Sequence, residues 1–310
     1  MIKKTQPQTS TSAFADDITF NHARVDSTHC LTDGLFRPFQ NGTRDETPLD
    51  VSHDYKEAYM FRWQHPTECL SICDQSLFTA ILRIASHAGN VTEVAQDTRD
   101  SAMKSARDAL QMELDAPNSP CLAIKASLRD LAKRIGIAIS GPALERLEES
   151  LERLATVTQT ISKNESGNPV WRSRMFGVIK LQGSKRVIAI NPWLSRALVE
   201  NPVTYIDIDE QRALTMDVAK RLHFWISGWA KPGKTTQPAS LGRFLPHVWG
   251  PGTVNDPDNY RMRTLIKAFG EIEQKTLWKC RIQKTEDAAF VRITRPKLGS
   301  KPVYPNSLTS

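Results

Sequence analysis

SLRDLAKRIG (127–136) and, after a short turn, SGPALERLEESLERLAT (140–156) decide how the chain is read. Ser127 offers a side-chain oxygen to the open N–H groups of a helix, and Leu128, Leu131 and Ile135 recur at the spacing of one helical face. Gly136 ends that helix, Ser140 can cap the next, and Pro142 fits its first turn, where a missing N–H costs nothing. In the second helix Leu144, Leu147, Leu151 and Leu154 form one apolar stripe that must pack against the first. Beyond it Thr158–Ser162, Val170–Leu181 and Arg186–Ile190 read as strands, separated by turns at NESGNP and QGS. Helix, turn, helix and hairpin in this order make a winged helix.

The same order recurs towards the C-terminus without visible sequence repetition. Asp209 can cap a helix running through Trp225, Leu241–Trp249 forms a short second helix, and Asn259–Glu273 a third whose stripe is Met262, Leu265, Ile266, Phe269 and Ile272. A hairpin follows, Trp278–Gln283 and Ala289–Thr294, with Glu286 and Asp287 in its turn. Upstream, Leu49–Tyr55 and Ala58–Trp63 alternate as a hairpin and Leu70–Ala88 reads as a buried helix. The alanine-rich stretch through Met112 also reads as helix, broken by APNSP at 116–120. Since 310 residues exceed the usual size of one core, two cores are expected. The expectation is an α+β chain, mainly helical, of two tandem winged-helix domains at 20–206 and 207–298. Polar tails of 1–19 and 299–310 flank them.

The formal charge of +7 is unevenly spread. Residues 1–64 carry 7 Lys and Arg against 9 Asp and Glu, and residues 65–206 carry 17 against 15. Residues 207–300 carry 16 against 10, with 10 against 4 within 259–297. Such a concentrated basic element suits phosphate binding, and from charge alone it suits a solvated face equally. In the third helix of the second unit Arg261, Arg263, Thr264 and Lys267 fall opposite the apolar stripe. Its hairpin adds Lys279, Arg281, Lys284, Arg292 and Arg295. Arginine in the first turns of a groove-inserted helix can pair with guanine, so Arg263 is the candidate base reader. The leucine-striped helix of the first unit is acidic outside, with Glu145, Glu148, Glu149 and Glu152 against Arg146 and Arg153. Its DNA contacts are therefore expected from the wing, at Arg172, Arg174, Lys185 and Arg186, while its helices serve packing or a homodimer.

Other motifs point elsewhere and are weaker. GWAKPGKT (228–235) satisfies the phosphate-loop pattern, but such a loop works only between a buried strand and a helix N-terminus, and Ala219–Trp229 has helical periodicity. Asp207, Asp209 and Glu210 could ligate a metal, yet capping the helix that starts there is their simpler use. His65, Cys69 and Cys73 would share a helix face, but spread over about 12 Å they cannot meet at one zinc ion. No His-x-His pair and no nucleophile beside a base is present, so neither catalysis nor a cofactor is expected. Seven tryptophans spread over all elements suit cores better than a stacking platform. No apolar run approaches the ~18 residues of a membrane span. The N-terminus lacks the apolar centre of a signal peptide and five cysteines stand at irregular spacing, so a reducing cytoplasm is expected.

Several separated segments carry a family resemblance. HARVDSTHCLTDGLFR (22–37), SLRDLAKRIG (127–136), INPWLSRAL (190–198), DEQRALTMDVAKRLHFWISGWAKPGKT (209–235) and VRITRPK (291–297) resemble the replication initiator protein C family of broad-host-range IncQ plasmids. The resemblance runs from about residue 22 to 297. It implies a bacterial plasmid initiator that binds repeated origin sequences, iterons, as double-stranded DNA and cooperates with the plasmid's helicase and primase. It also implies that the phosphate-loop-like turn belongs to a protein that is not the ATPase of its system. A winged-helix transcriptional repressor is the alternative that the same fold and charge would serve.

Overall fold

The computed structural model describes residues 21–39, 47–200, 203–251, 260–284 and 288–300. The tail at 1–19, residues 301–310 of the C-terminal tail, Asn259 and the hairpin turn at Glu286 and Asp287 lie outside them.

The chain opens with β1 (His22–Val25), α1 (Ser27–Leu31) and β2 (Phe36–Arg37), then the hairpin β3 (Leu49–Tyr55) and β4 (Tyr59–His65). β5 (Leu70–Ser71) leads into α2 (Ile72–Ala85), followed by β6 (Val91–Val94), α3 (Ser101–Asp108), β7 (Glu113–Leu114) and β8 (Cys121–Ser127). Then come α4 (Leu128–Ile135), α5 (Gly141–Thr156), β9 (Thr158–Lys163), β10 (Pro169–Arg174), β11 (Phe176–Lys180), β12 (Lys185–Ile190) and α6 (Pro192–Val199). The last third holds β13 (Thr204–Asp207), α7 (Ile208–Ala213), α8 (Asp217–Trp229), β14 (Ala239–Ser240), α9 (Phe244–Trp249), α10 (Tyr260–Lys275), β15 (Lys279–Lys284) and β16 (Ala289–Thr294). The fold is α+β, and with sixteen strands in five sheets among the described residues it carries more strand than expected.

α2 is buried on nearly every side, and its Leu77, Phe78, Ile81 and Leu82 stand at the centre of the first core. A helix buried on nearly every side lies inside a domain, so its polar Asp74, Gln75 and Thr79 are buried with the apolar ones. Its N-terminus is closed by a capping box in which Ser71 and Asp74 satisfy each other's N–H groups. Asp74, fully buried, also accepts from Ser150 Oγ and from the Arg153 guanidinium at 3.1 Å, and so fastens α5 to the start of α2. Ser127 caps α4 by accepting from Asp130 N–H, and Gly136 ends it at φ +77°, a left-handed conformation costly for a residue with a Cβ. Ser140 occupies the cap position of α5 without a side-chain hydrogen bond, so that helix relies on Pro142 and its leucine stripe.

Two sequence expectations change in the sheets. Val170–Leu181 is not one strand, since the chain breaks at Met175: β10 joins a five-stranded sheet ordered β3-β4-β9-β10-β7 and β11 a four-stranded one ordered β11-β12-β8-β6. The stretch from 89 to 112 is not continuous helix either, since β6 pairs with β8 before α3 begins. Both errors arise because local periodicity cannot report which sheet a strand joins.

A second core gathers Leu222, Trp225, Phe244, Phe269, Ile272, Trp278 and Ile293 from α8 to β16. Here α10 packs on β15 of a sheet ordered β14-β16-β15, and α8 and α9 pack against α10. Asp207, not Asp209, caps the helix that starts the last third, and that helix stops at Leu214 before α8 begins. A third, smaller core holds Val94, Met103, Leu110, Cys121 and Val187, and the first two are sewn together: β13 pairs antiparallel with β1, so the strand before the second unit is completed by the first strand of the chain. Arg221 of α8 is fully buried, with its guanidinium donating to the carbonyls of Cys30, Thr32 and His247. Gly228 lets α8 press against α1, because a Cβ there would lie 2.7 Å from Cys30 Cβ.

Candidate nucleic-acid interface

The exposed surface of the second unit is built by period. On α10, Leu265, Phe269 and Ile272 face inward, and Arg263 and Lys267, one turn apart, face solvent. Arg261 stands one turn before Leu265 and is therefore on the flank of the buried stripe rather than opposite it. Its guanidinium lies 5.7 Å from the Trp249 ring centroid on α9, a cation–π arrangement. The Thr264 hydroxyl donates back to the Tyr260 carbonyl at 2.8 Å, a helix-internal bond.

On the hairpin, strand alternation sorts the cations. Cys280, Val291 and Ile293 point into the core, whereas Lys279, Arg281 and Arg292 point out, and Lys284 is exposed near the turn. Arg281 stands directly opposite Arg292 in the register. Like charges facing each other across strands destabilise a hairpin, so this pair is held against its own repulsion. Arg295, expected on the same surface, is buried. It continues the inward set of 291 and 293, its guanidinium donates to the carbonyls of Ser227, Ala230 and Tyr205, and it lies 5.3 Å from the Trp278 ring centroid. Burial lowers its pKa to about 10, so it stays charged at neutral pH as a strut between the units.

The turn GWAKPGKT lies beside the same sheet, joined to it by an isolated bridge between Thr235 and Thr294. Gly228 and Trp229 end α8, so the strand a phosphate loop needs is replaced by a helix. Gly233 N–H donates to the Arg295 and Pro296 carbonyls, Lys234 N–H to Lys231, and Thr236 N–H to Ile293 at 2.8 Å. The peptide donors that would cradle phosphates are spent on the protein itself. Glu210, a candidate metal ligand, accepts instead from His223 Nε2 at 2.8 Å and Trp278 Nε1 at 2.9 Å. Among the described residues no group of three or more His, Cys, Asp and Glu is placed to hold a metal. His65 ends a strand while Cys73 lies on α2, so these do not share a helix face.

In the first unit the expected wing residues separate. Arg172 and Arg174 belong to β10, whereas Lys185 and Arg186 belong to β12 of another sheet. Arg172 pairs with Glu113 of β7 at 3.1 Å, Arg174 is half-buried and Lys185 is exposed. Arg186 is buried, bonded to Glu148 at 2.7 Å and to the Gly183 and Lys185 carbonyls, and is no surface contact. Lys180 reaches Glu148 at 2.8 Å and Glu152 at 3.3 Å. Hydrogen bonds from Lys180 and Arg186 hold the Glu148 carboxyl below its usual pKa. The acidic face of α5 and the basic hairpin β11–β12 thus neutralise each other, which separate inspection of the two segments could not show.

Among the described residues no helix is long and apolar enough to cross a membrane. The chain is similar in structure to domains 2 and 3 of RctB in a selenomethionine crystal form, with a TM-score of 0.54 at 10% identity, covering 89% of this chain and 99% of that one. A second RctB crystal structure of the same two domains, residues 155–483, gives a TM-score of 0.48 at 9% identity over 84% of this chain and 95% of that one. No curated protein matches the sequence. The profile of the replication protein C family, RepC, matches residues 17–297, nearly the whole chain with the segments that build both cores, and the chain therefore belongs to the RepC family of replication proteins.

Proposed function

We propose that the protein starts replication by binding iterons in an origin as double-stranded DNA, through a C-terminal winged helix formed by α8, β14, α9, α10, β15 and β16. The observation that carries this reading is the exposed like-charge pair Arg281 and Arg292, flanked by Lys279 and Lys284 and accompanied on α10 by Arg263 and Lys267. A cationic wing beside a helix with outward arginine suits a phosphate track next to a major groove. α10 is the recognition helix in this reading. Arg263 reads a base and the hairpin cations hold the backbone, while Arg261 positions the helix from Trp249. A second winged helix, from α2, α4, α5, β9 and β10, carries Arg172 and Arg174 as lesser contacts, with Lys185 on β12 of the neighbouring sheet, and offers the surface of a homodimer. In this reading the protein also cooperates with the plasmid helicase and primase, and membership of a family of replication proteins supports it.

Binding of the full chain to iteron and scrambled DNA at several salt concentrations tests the reading. Arg292→Ala weakens both DNAs and flattens the salt dependence by about 1 in slope. Arg263→Ala costs about 1–3 kcal/mol on the iteron and little on scrambled DNA. Equal losses on both DNAs for Arg263→Ala would sink its base-reading role. Origin-dependent replication that survives deletion of the gene, with only transcript levels altered, would make the protein a repressor instead.

A further inference from the structure

The five-stranded sheet of the first unit ends in a cavity of about 590 Å³ beside the turn that joins β3 to β4. Tyr55 and Tyr59 stand opposite each other there, on the face of the sheet that buries Phe61 and, across β9 and β10, Ile161 and Trp171. The far wall is α6, whose Trp193 makes a T-shaped contact with Phe61 at 5.0 Å. Trp193 Nε1 donates to Asp26 at 3.1 Å, and Arg196, over the Trp193 ring at 5.3 Å, is paired with Glu200. The tryptophans thus close the end of the core. Tyr59, 37% exposed, is the ring that solvent reaches.

Two lysines flank that ring. Lys56 lies in the turn with its Nζ 4.9 Å from the Tyr55 ring centroid, and Lys163 stands opposite Tyr59 in the register of β9, on the same face. Both are exposed, and neither has an ion pair among the described residues. Lys56 is held there against its own preference. Ala58 N–H donates to the Tyr55 carbonyl at 3.2 Å across a tight turn whose central residues, Lys56 and Glu57, have φ of 50° and 59°. Asn-Gly fills such a turn with little strain, whereas in most residues the Cβ crowds the following carbonyl. Leu114, at φ 60°, is strained in the same way and precedes Asp115 on the opposite rim. Left-handed residues other than glycine gather at ligand clamps, where the surrounding fold over-determines them.

An aromatic face between two cations, at the mouth of a cavity the size of a small-molecule site, suits a base with a phosphate on either side. A base inside a double helix has no free face to offer. We propose that this cavity takes one unstacked base of a single nucleic-acid strand, stacked on Tyr59, with the flanking phosphates on Lys56 and Lys163 and a ring N–H donating to Asp115. The site is separate from the duplex contacts of the second unit, so the iteron duplex serves as its control.

Fluorescence anisotropy of the full chain is followed with a labelled short oligothymidylate, with the same backbone lacking its bases, and with the iteron duplex. Oligothymidylate should bind about tenfold more tightly than the abasic strand, and Tyr59→Ala should remove most of that difference while leaving the abasic strand and the duplex as they were. Tyr59→Phe, which keeps the ring, should retain it. The double variant Lys56→Asn, Glu57→Gly should raise the melting midpoint by relieving the turn and yet weaken oligothymidylate binding, two opposite changes that a damaged fold cannot imitate. An oligothymidylate bound no better than the abasic strand, or bound equally by a Tyr59→Ala chain that melts like the parent, would overturn the proposal. Thymidine monophosphate bound as tightly as the strand would overturn the assignment to a strand. Loss of duplex binding alone, with strand binding intact, would count against the origin-binding reading instead.

Discussion

At the scale of single residues, three positions separate the outer face of the hairpin from its inner one. Arg292 and Arg295 differ by three positions on an extended chain, so they face opposite sides, and their substitution should have opposite consequences. Arg295→Met leaves the carbonyls of Ser227, Ala230 and Tyr205 without their buried donor and should cost at least about 2 kcal/mol of stability. Arg292→Ala relieves the repulsion with Arg281 and should leave the free protein unchanged or firmer by a few tenths of a kcal/mol, while weakening DNA binding. Thermal melts of the two variants without DNA decide the point, and equal losses would contradict the assignment. His29 gives a pH signature. It is fully buried between Trp63 and Phe78, and desolvation pulls its pKa down to about 4. The unfolded chain, with a pKa near 6.5, takes up the proton first, so this contribution is complete above pH 6.5 and is lost as pH falls towards 4. His29→Phe should flatten the fall in melting midpoint between pH 7 and 4.5. A parent-like fall would show that other groups carry it.

At the scale of elements, helix ends are closed in two ways. α2 and α4 carry their caps next door, at Ser71 and Ser127; Ser127 is expected from the sequence, whereas the reading that starts α2 at Leu70 misses Ser71. α8 has none of its own, since Met216 at its cap position has no cap hydrogen bond to offer. Glu271 of α10 accepts there from Thr215 N–H at 2.7 Å and Met216 N–H at 3.0 Å, a cap delivered from another helix. Burial opposes ionisation of Glu271, but hydrogen bonds from Lys275, Thr215 and Met216 outweigh it and hold the pKa at about 2. Its stabilisation is therefore complete above the unfolded value near 4.5 and vanishes as pH falls towards 2. Glu271→Gln should cost roughly 1–3 kcal/mol at pH 7 and clearly less at pH 2.5, where most of the linkage has been lost. Urea titrations at both values check this, and a loss independent of pH would mean that packing rather than charge is at work.

At the scale of the whole molecule, the two cores do not share a simple linker. β1 and β13, Arg221 in a ring of carbonyls and Asp33 on His247 Nδ1 at 2.6 Å tie the C-terminal unit to residues from the start of the chain, and Arg295 on Tyr205 ties it to β13. Arg221 keeps its charge, with a pKa lowered by burial to about 10, and its hydrogen-bond partners in the first unit are the backbone carbonyls of Cys30 and Thr32. A fragment of 207–300 would leave that guanidinium without two of its three acceptors. Its melt should be broader and lower than the second-unit signal of the full chain, followed by tryptophan fluorescence. A fragment as stable as the full chain would show that the seam contributes little to folding.

The leucine stripes of α5 and α10, the caps at Ser127 and Gly136, and the hairpins 49–65 and 279–294 were legible because each is a local periodicity with a nearby stop signal. The outward placement of Arg263, Lys267, Lys279, Arg281 and Arg292 follows from the same periods. Arg295 was misplaced only because the alternation through Val291 and Ile293 was not carried one step further. What no window could reveal depends on partners far along the chain. Arg186 is withdrawn from the surface by Glu148, 38 positions away, Arg83, Arg134 and Arg212 meet from three helices, and the strand before the second unit is paired by His22–Val25. Local order is written in side-chain spacing, but which charges remain available to a ligand is decided by long-range contacts, since burial and neutralisation act between residues that sequence keeps apart.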